Sequence, residues 1–420
     1  MHNRCLIIPG TFVPANEPMT LLVYKQLRLL PFDMDVCALR YWEEDRDVAE
    51  KLKNDPCYSK FHVCWTDQYK KVLFSAHNVF LPSCLKHIRN YIDSAVAMYH
   101  GQEYIYTSEF PVYTAQAGEK IKAMNPHVIW IANFTDPINH SPYKNDPRTY
   151  KEYSWPEKIA FDLYIKHYVI DDIEAMTIEK ADLLLFICEE QRDFMIEQYL
   201  KYYHRISADA IMNKALIIPL NSIPEWNNLG ELTTVPLHKD EFVLSHFGRI
   251  YGLRIIDEFL YAVRSFADRH PSYKLIIEQY GEFRKSDRKL IKKLGLSYMF
   301  KIHKKIPYQQ CLQKMKEADA VLIFDTILPD TEIQPYLPSK IVEYSQLKKN
   351  TLAVTTTRSP VYRIMKKQDS IACRYDRNDI LRGLEELCIK KRPSLIDYNY
   401  SNNVAVSPLL KRLEEFKNRV

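Results

Sequence analysis

Short apolar runs of strand length recur along the whole chain, and amphipathic stretches of helical period separate them. The runs are Cys5 to Ile8, Val36 to Leu39, Tyr104 to Tyr106, Val128 to Ala132, Leu183 to Ile187 and Leu216 to Ile218, then Phe242 to Phe247, Leu275 to Ile277, Phe300 to Ile302, Ala320 to Phe324 and Leu352 to Val354. Such an alternation predicts βαβα units and parallel, doubly wound sheets. It occurs twice. Between the two sets, at residues 219–241, Pro219, Pro224, Pro236 and a polar stretch from Asn227 to Thr234 break the periodicity. The closing segment, Ser407 to Val420, places Leu409, Leu410, Leu413, Phe416 and Val420 on one helical face, which needs a partner surface.

A chain of 420 residues is too long for one ordinary core, so two domains of roughly 200 residues are expected. Its nine cysteines form no Cys-x-x-Cys pair, a usage that fits reduced thiols in the cytosol better than a disulfide frame or a zinc site. The N-terminal apolar stretch is too short for a signal peptide, and no long apolar run follows. A cytoplasmic protein is expected, soluble or at most peripheral on a membrane. Charge is uneven: residues 1–220 hold 24 Lys+Arg against 29 Asp+Glu, and residues 221–420 hold 34 against 24, so the halves carry −5 and +10. A basic half suits an anionic ligand. No nucleic-acid recognition signature accompanies it, so no nucleic acid partner is expected.

Glycine is scarce, nine in the chain, and four of them (Gly10, Gly248, Gly252, Gly281) stand at or just beyond the ends of expected strands. Ligands of α/β sheets lie outside those strand ends. The most informative stretch is residues 318–344, where the apolar run Ala320 to Phe324 leads through a loop with three prolines to Ser339-Lys340 and a segment of helical period. A strand, a loop and a helix start make an anion site: first-turn amides and the helix dipole favour a phosphate, Lys340 adds a point charge, and Glu343 can accept from sugar hydroxyls. Phe247-Gly248-Arg249-Ile250-Tyr251-Gly252-Leu253-Arg254 follows the first strand of the second half. Its two guanidiniums suit a diphosphate, because each offers forked donors and neither loses its charge.

The segment around Pro338-Ser339-Lys340-Ile341-Val342-Glu343-Tyr344 resembles the donor-sugar motif of retaining glycosyltransferases with the GT-B fold, family 4 type, and the Gly248–Arg254 loop resembles that family's Gly-Arg-x-x-x-Lys-Gly loop. Gly252 stands earlier than in the family pattern, which leaves open which arginine meets the β-phosphate. Glu278 to Glu282, with Gly281, is similar to the family's second glycine turn, and Phe300 to Pro307, with His303 and Lys304, to the strand and loop that receive the base. The resemblance is close over residues 242–360. One departure concerns the transferred sugar: eight positions before Glu343 stands Pro335 rather than an acid, with Glu332 out of register.

In the first half, Asn125 to Pro137 resembles a strand and loop written Pro-Trp-Ile-Ala-Asp-Phe-Arg-Asp-Pro in relatives, which makes Asp136 the candidate for binding an acceptor hydroxyl or steadying a sugar cation; an Asp-Pro turn is the plain alternative. Thr135 stands where many relatives have histidine. Gly10 and Glu109 are weaker acceptor-side candidates. Asp33-Met34-Asp35 is read as a solvated loop, with no catalytic metal expected. The stretch Tyr69 to Tyr91 carries Lys70, Lys71, Lys86 and Arg89 among apolar residues, a composition that suits either an anionic bilayer, the inner membrane, or two helices on the first domain.

The resemblance implies an α/β chain of GT-B type: two Rossmann-like doubly wound parallel-sheet domains facing a cleft, residues 1–220 for the acceptor and 221–400 for the nucleotide sugar, with 401–420 a helix crossing back to the first domain. It implies transfer of a hexose-type sugar from a nucleoside diphosphate to a hydroxyl of a glycan or lipid-linked oligosaccharide, with retention, as in surface polysaccharide biosynthesis. Arg249, Arg254 and Asp136 carry the catalytic roles in that scheme. Gly248, Gly281, His303, Lys304, Ser339, Lys340 and Glu343 hold the donor, and no cofactor is required. An epimerase or hydrolase of nucleotide sugars on the same fold, or a non-catalytic scaffold, are the alternatives.

Overall fold

A computed structural model describes residues 4–15, 18–40, 44–68, 82–108, 113–137, 140–142, 155, 173–226, 241–398 and 400–418. These fall into two compact units: one holds the described residues up to Trp226 together with those from Tyr400 onward, the other holds 241–398.

The first unit is built on a seven-stranded sheet: β1 (Arg4–Gly10), β2 (Asp33–Arg40), β3 (Phe61–Gln68), β4 (Tyr104–Ser108), β5 (Ile129–Asn133), β6 (Leu183–Phe186) and β7 (Ala215–Ile217). Its order is β3-β2-β1-β4-β5-β6-β7, and every pairing is parallel. The second unit has six strands: β8 (Phe242–Phe247), β9 (Leu275–Tyr280), β10 (Phe300–His303), β11 (Ala320–Phe324), β12 (Asn350–Thr355) and β13 (Ala372–Arg374). Its order is β10-β9-β8-β11-β12-β13, again all parallel. The eleven expected runs all became strands, and two more, β3 and β13, were absent from the reading. In Phe61–Gln68, at the sheet edge, exposed His62 and Cys64 alternate with Phe61, Val63 and Trp65, which are buried or half-buried, and Ala372–Arg374 is three residues long. Neither carries the continuous apolar run that marks a strand covered on both faces, as in β11, where all five residues are buried.

Helices cover the sheets. The Asp257–Arg269 helix buries Phe259, Leu260, Val263 and Phe266 in the second unit's core, on an apolar stripe of helical period. The Asn402–Lys417 helix lies in the first unit, where Leu409 and Leu413 join the core and Leu410 and Phe416 pack on it; Val420 lies outside the described residues. Residues 221–226, assigned to the second domain from sequence, also pack in the first unit. Ile223 is in its core, and the Trp226 ring stacks on Tyr24 with centroids 5.4 Å apart. The reason is anchoring after β7: Asn221 accepts from the side chain of Asn402 at 3.0 Å, tying the segment to the start of the last helix.

Both sheets reverse direction of strand order at one place, between β1 and β4 in the first and between β8 and β11 in the second. At such switch points the loops leave in opposite directions and open a crevice at the carboxyl ends of the strands.

Candidate functional site

In the second unit the backbone at this crevice is laid down by two glycines. Gly248, just after β8, has φ +124°, and Gly281, just after β9, has φ +132°; both values belong to glycine. The Gly248 N–H donates to the Tyr280 carbonyl at 2.8 Å, and the Gly281 N–H to the His303 carbonyl at 3.2 Å, so the three strand ends step past one another. A Cβ on Gly281 would run into the Gly248 carbonyl, and one on Gly248 would stand 2.6 Å from Lys340 Nζ. The rings of Phe247, Tyr280 and His303 stack in a row over the same strand ends, at 4.9 and 4.5 Å.

Against that backbone stand two cations. Lys340 opens the Lys340–Gln346 helix and is half-buried. Its ammonium makes no hydrogen bond or ion pair among the described residues, and burial with the neighbouring Arg254 charge pushes its pKa down to about 7, against the opposing pull of Glu343 and Cys311. Arg254 lies with its guanidinium 4.9 Å from the centre of the Tyr251 ring; it donates to the Arg249 carbonyl at 3.3 Å, while its Nε is buried without a partner among the described residues. Two adjacent cations with unfilled donors repel each other until an anion arrives. Arg249 is placed differently: exposed, its Nε is ion-paired with Glu282 at 3.0 Å. The structure therefore separates the two arginines that the sequence left equivalent.

Glu343, in the first turn of the helix, accepts from the Tyr308 hydroxyl at 3.1 Å, and burial together with this carboxylate raises the Tyr308 pKa. Ser339 is exposed and its side chain makes no cap bond. The amides of Ile341 and Val342 donate back to the carbonyls of Pro338 and Ser339 at 3.1 Å each. These two first-turn amides are thus engaged within the chain, which corrects the expectation that first-turn amides are available to a phosphate at these two positions. His303 is half-buried at the end of β10 with Nε2 3.8 Å from Glu278 Oε1, and Lys304 beside it is exposed.

Three buried polar residues escaped the sequence reading. Asp325, immediately after β11, accepts at Oδ1 from the Thr326 amide at 2.8 Å and the Gln334 side chain, and at Oδ2 from Thr355 at 2.7 Å and Ser359; burial raises its pKa. It clasps the proline-containing loop that delivers Ser339-Lys340. An acid directly following a buried apolar strand was the available signal. His246 and Gln279 sit inside β8 and β9, hydrogen-bonded at 2.7 Å, and Gln279 donates on to the Gly248 carbonyl at 2.6 Å. Only their facing register in the sheet brings them together.

The first unit treats its candidates otherwise. Asp136 is exposed in a bend three residues beyond β5. Behind it, Asn133 and Thr135 are buried, and the Asn133 side-chain amide and Thr135 hydroxyl have no hydrogen-bond partner among the described residues. Gly10 has its N–H donated to the Tyr91 hydroxyl at 3.0 Å, which in turn donates to the Cys37 carbonyl at 2.9 Å. That amide is not open to an acceptor. Glu109 lies outside the described residues, as do residues 69–81 of the basic stretch; the remainder enters the helix Pro82–Ala97, whose Tyr91 is buried. Asp33 and Asp35 belong to β2 rather than to a solvated loop. Asp35 is nearly buried, paired with Arg4 at 2.6 Å and accepting from Gln102 at 2.8 Å, because the strand turns it toward its neighbours. No helix among the described residues is long and apolar enough to cross a membrane.

No family model matches the chain, and no curated protein matches it by sequence. Solved structures do. The N-terminal domain of Candida albicans trehalose-6-phosphate phosphatase is 12% identical, with 99% of this chain and 97% of that one covered and a TM-score of 0.67. Anabaena Alr3699/HepE in complex with UDP is 13% identical over 100% of both chains, with a TM-score of 0.61. The Escherichia coli trehalose-6-phosphate protein bound with UDP-2-fluoro glucose is 8% identical, with 100% and 96% covered and a TM-score of 0.60. At such identities the likeness establishes the fold, which is GT-B.

Proposed function

Starting from the GT-B fold, we propose that this chain is a glycosyltransferase of family 4 type, which moves a sugar from a nucleoside diphosphate to a hydroxyl of a glycan or lipid-linked oligosaccharide with retention of configuration. The observation that carries the reading is the pair of coupled cations, Lys340 and Arg254, without ion-pair partners among the described residues, with the Lys340 ammonium set beside Gly248 at the switch point of the second sheet. UDP bound to HepE and UDP-2-fluoro glucose bound to the E. coli protein, both of this fold, support a nucleotide sugar as the donor.

In this reading Arg254 and Lys340 bind the diphosphate and stabilise the charge that develops on it as the sugar leaves. Arg249 joins them after releasing Glu282, or stays at the rim. Glu343, with Tyr308 aligning its carboxylate, accepts from ribose hydroxyls, and the strand end at His303-Lys304 receives the base. A donor phosphate oxygen takes the acceptor proton, so no side-chain nucleophile is needed. Protein cations perform the neutralisation that other designs give to a divalent ion, and the reaction proceeds without one. Asp136 of the first unit binds the acceptor hydroxyl, in a cytoplasmic protein serving polysaccharide assembly at the membrane face.

The test is a titration with UDP, GDP and ADP followed by thermal unfolding. A bound nucleotide at a hundredfold over its dissociation constant stabilises by about 2.7 kcal/mol. No stabilisation by any of the three would overturn the donor assignment. Product analysis with the matching nucleotide sugar then separates transfer from release of free sugar or epimerised donor.

A further inference from the structure

We propose that His246 and Gln279 are positioning residues for the diphosphate site, forming a buried two-link relay that holds the Gly248 carbonyl in place and with it the seat of the Lys340 ammonium. The proposal rests on the donor assignment above for its ligand and on the geometry of the second sheet for its mechanism.

The hydrogen-bond chain has one direction. The Gly248 carbonyl can only accept, so the Gln279 group facing it at 2.6 Å is the Nε2 amide. Gln279 Oε1 then faces His246 Nδ1 at 2.7 Å, and an oxygen acceptor requires the proton to sit on Nδ1. His246 Nε2 is left as a bare lone pair. It is buried, the residue being 1% exposed, and no group among the described residues donates to it. Burial and the Lys340 and Arg254 charges depress the imidazole's pKa well below the ordinary range, which keeps this single neutral tautomer in place.

A relay is needed because of how little room Gly248 has. On one side its carbonyl abuts Gly281; on the other its Cα abuts the Lys340 side chain. Glycine at a positive φ has no side chain to lock its peptide, and rotation of that peptide would change where Lys340 can stand. Gln279 removes the freedom by pinning the carbonyl, and His246 removes Gln279's own freedom to flip. The row of stacked rings from Phe247 to His303 closes the other side of the same strand ends. Both relay residues lie within strands, so the rigidity of the sheet is passed to a loop peptide.

The experiment uses the full chain with ¹⁵N-labelled histidine and ¹³C-labelled lysine. In the wild type, His246 should show a protonated Nδ1 and an unprotonated Nε2 from about pH 5.5 to about pH 8, where an ordinary histidine titrates. A tautomer protonated at Nε2 would overturn the relay. His246→Leu and Gln279→Met should each weaken binding of whichever of UDP, GDP or ADP the wild type binds, on the order of tenfold, as expected for one lost buried hydrogen bond. His246→Asn, which can return a donor near the Nδ1 position, should recover to within about threefold of wild type. A folded His246→Leu and a folded Gln279→Met that both bind as wild type would sink the proposal.

If the wild type binds none of the three nucleotides, the donor assignment falls and the relay is judged without it, by the titration midpoint of Lys340. That lysine is faced by Arg254, Glu343, Cys311 and His246, none of which except His246 is altered. A midpoint displaced by about half a pH unit or more in His246→Leu and returned in His246→Asn supports the relay; an unmoved midpoint overturns it.

Discussion

The two sheets of this chain present the same strand order at their switch points and use them in opposite ways. At the second, between β8 and β11, Gly248 lies beside the Lys340 ammonium, Arg254 adds its charge to that lysine, and neither cation has an ion-pair partner among the described residues. At the first, between β1 and β4, the corresponding Gly10 amide is closed by the protein's own Tyr91. The polar groups without partners there lie one strand along, on Asn133 and Thr135, behind an exposed Asp136. A crevice at a switch point is thus an opportunity that topology creates and side chains either keep open or fill.

The largest effect that could break this contrast is expected at Arg254. Arg254→Ala should lower turnover by two to three orders of magnitude, on the scale of losing a preorganised charge in the transition state. Arg249→Ala, already satisfied by Glu282, should lose less than about tenfold. Equal losses in steady-state kinetics would show that the ion pair opens when donor binds and that the two arginines are equivalent after all.

Next comes the first unit. Asp136→Asn keeps the shape and removes the charge, so transfer to acceptor should fall by about ten to a thousandfold while nucleotide affinity is kept. Wild-type transfer in that variant would make Asp136 a turn residue and leave the first switch point without a chemical role.

Glu343→Ala should weaken nucleotide binding by about 1 to 3 kcal/mol through lost charge-assisted bonds to the ribose. Unchanged affinity in calorimetry would remove the ribose contact from the helix.

A smaller effect follows from Lys340, whose pKa is pushed down to about 7 by burial and Arg254. Below that value the ammonium is charged and attracts a diphosphate; above it the free site is neutral and must take up a proton to bind. Affinity should therefore fall by up to about tenfold per unit as pH rises past 7, and the binding enthalpy should depend on the buffer's ionisation heat. Folding stability should move the other way. The unfolded lysine, titrating near 10.5, holds more protons than the folded one between about pH 7 and its own pKa, so this group's contribution rises with pH over that window. Affinity independent of pH from 6 to 9 would mean another group meets the phosphate.

The least change is expected on treatment with EDTA, which should leave transfer within about twofold of the untreated rate if Lys340 and Arg254 neutralise the leaving group themselves. Loss of activity restored by manganese would replace that pair with a metal.

Much of the second sheet is legible in the sequence. β8 and β11 have their expected bounds, because strands buried on both faces read as unbroken apolar runs. The positive φ of Gly10, Gly248, Gly252 and Gly281 was signalled by scarcity: a chain with so few glycines keeps them where geometry demands. Edge strands were not legible, since β3 is half-exposed and β13 is short. Asp33 and Asp35 were misplaced for a related reason, as a polar strand start looks like a loop.

What the amino-acid order determined by itself is therefore local: which segments are strands, where the turns need glycine, and that Arg249, Arg254, Lys340 and Glu343 carry the right chemistry in the right succession. The tertiary structure decided what depends on distant partners. It paired Arg249 with Glu282 and left Arg254 and Lys340 without an ion pair among the described residues, it put Tyr91 on Gly10, and it joined His246 to Gln279 across 33 positions of sequence. Periodicity and turn chemistry act over a few residues and are written in the chain, whereas desolvation and hydrogen-bond partnership are set by whichever atoms the completed sheet brings within reach.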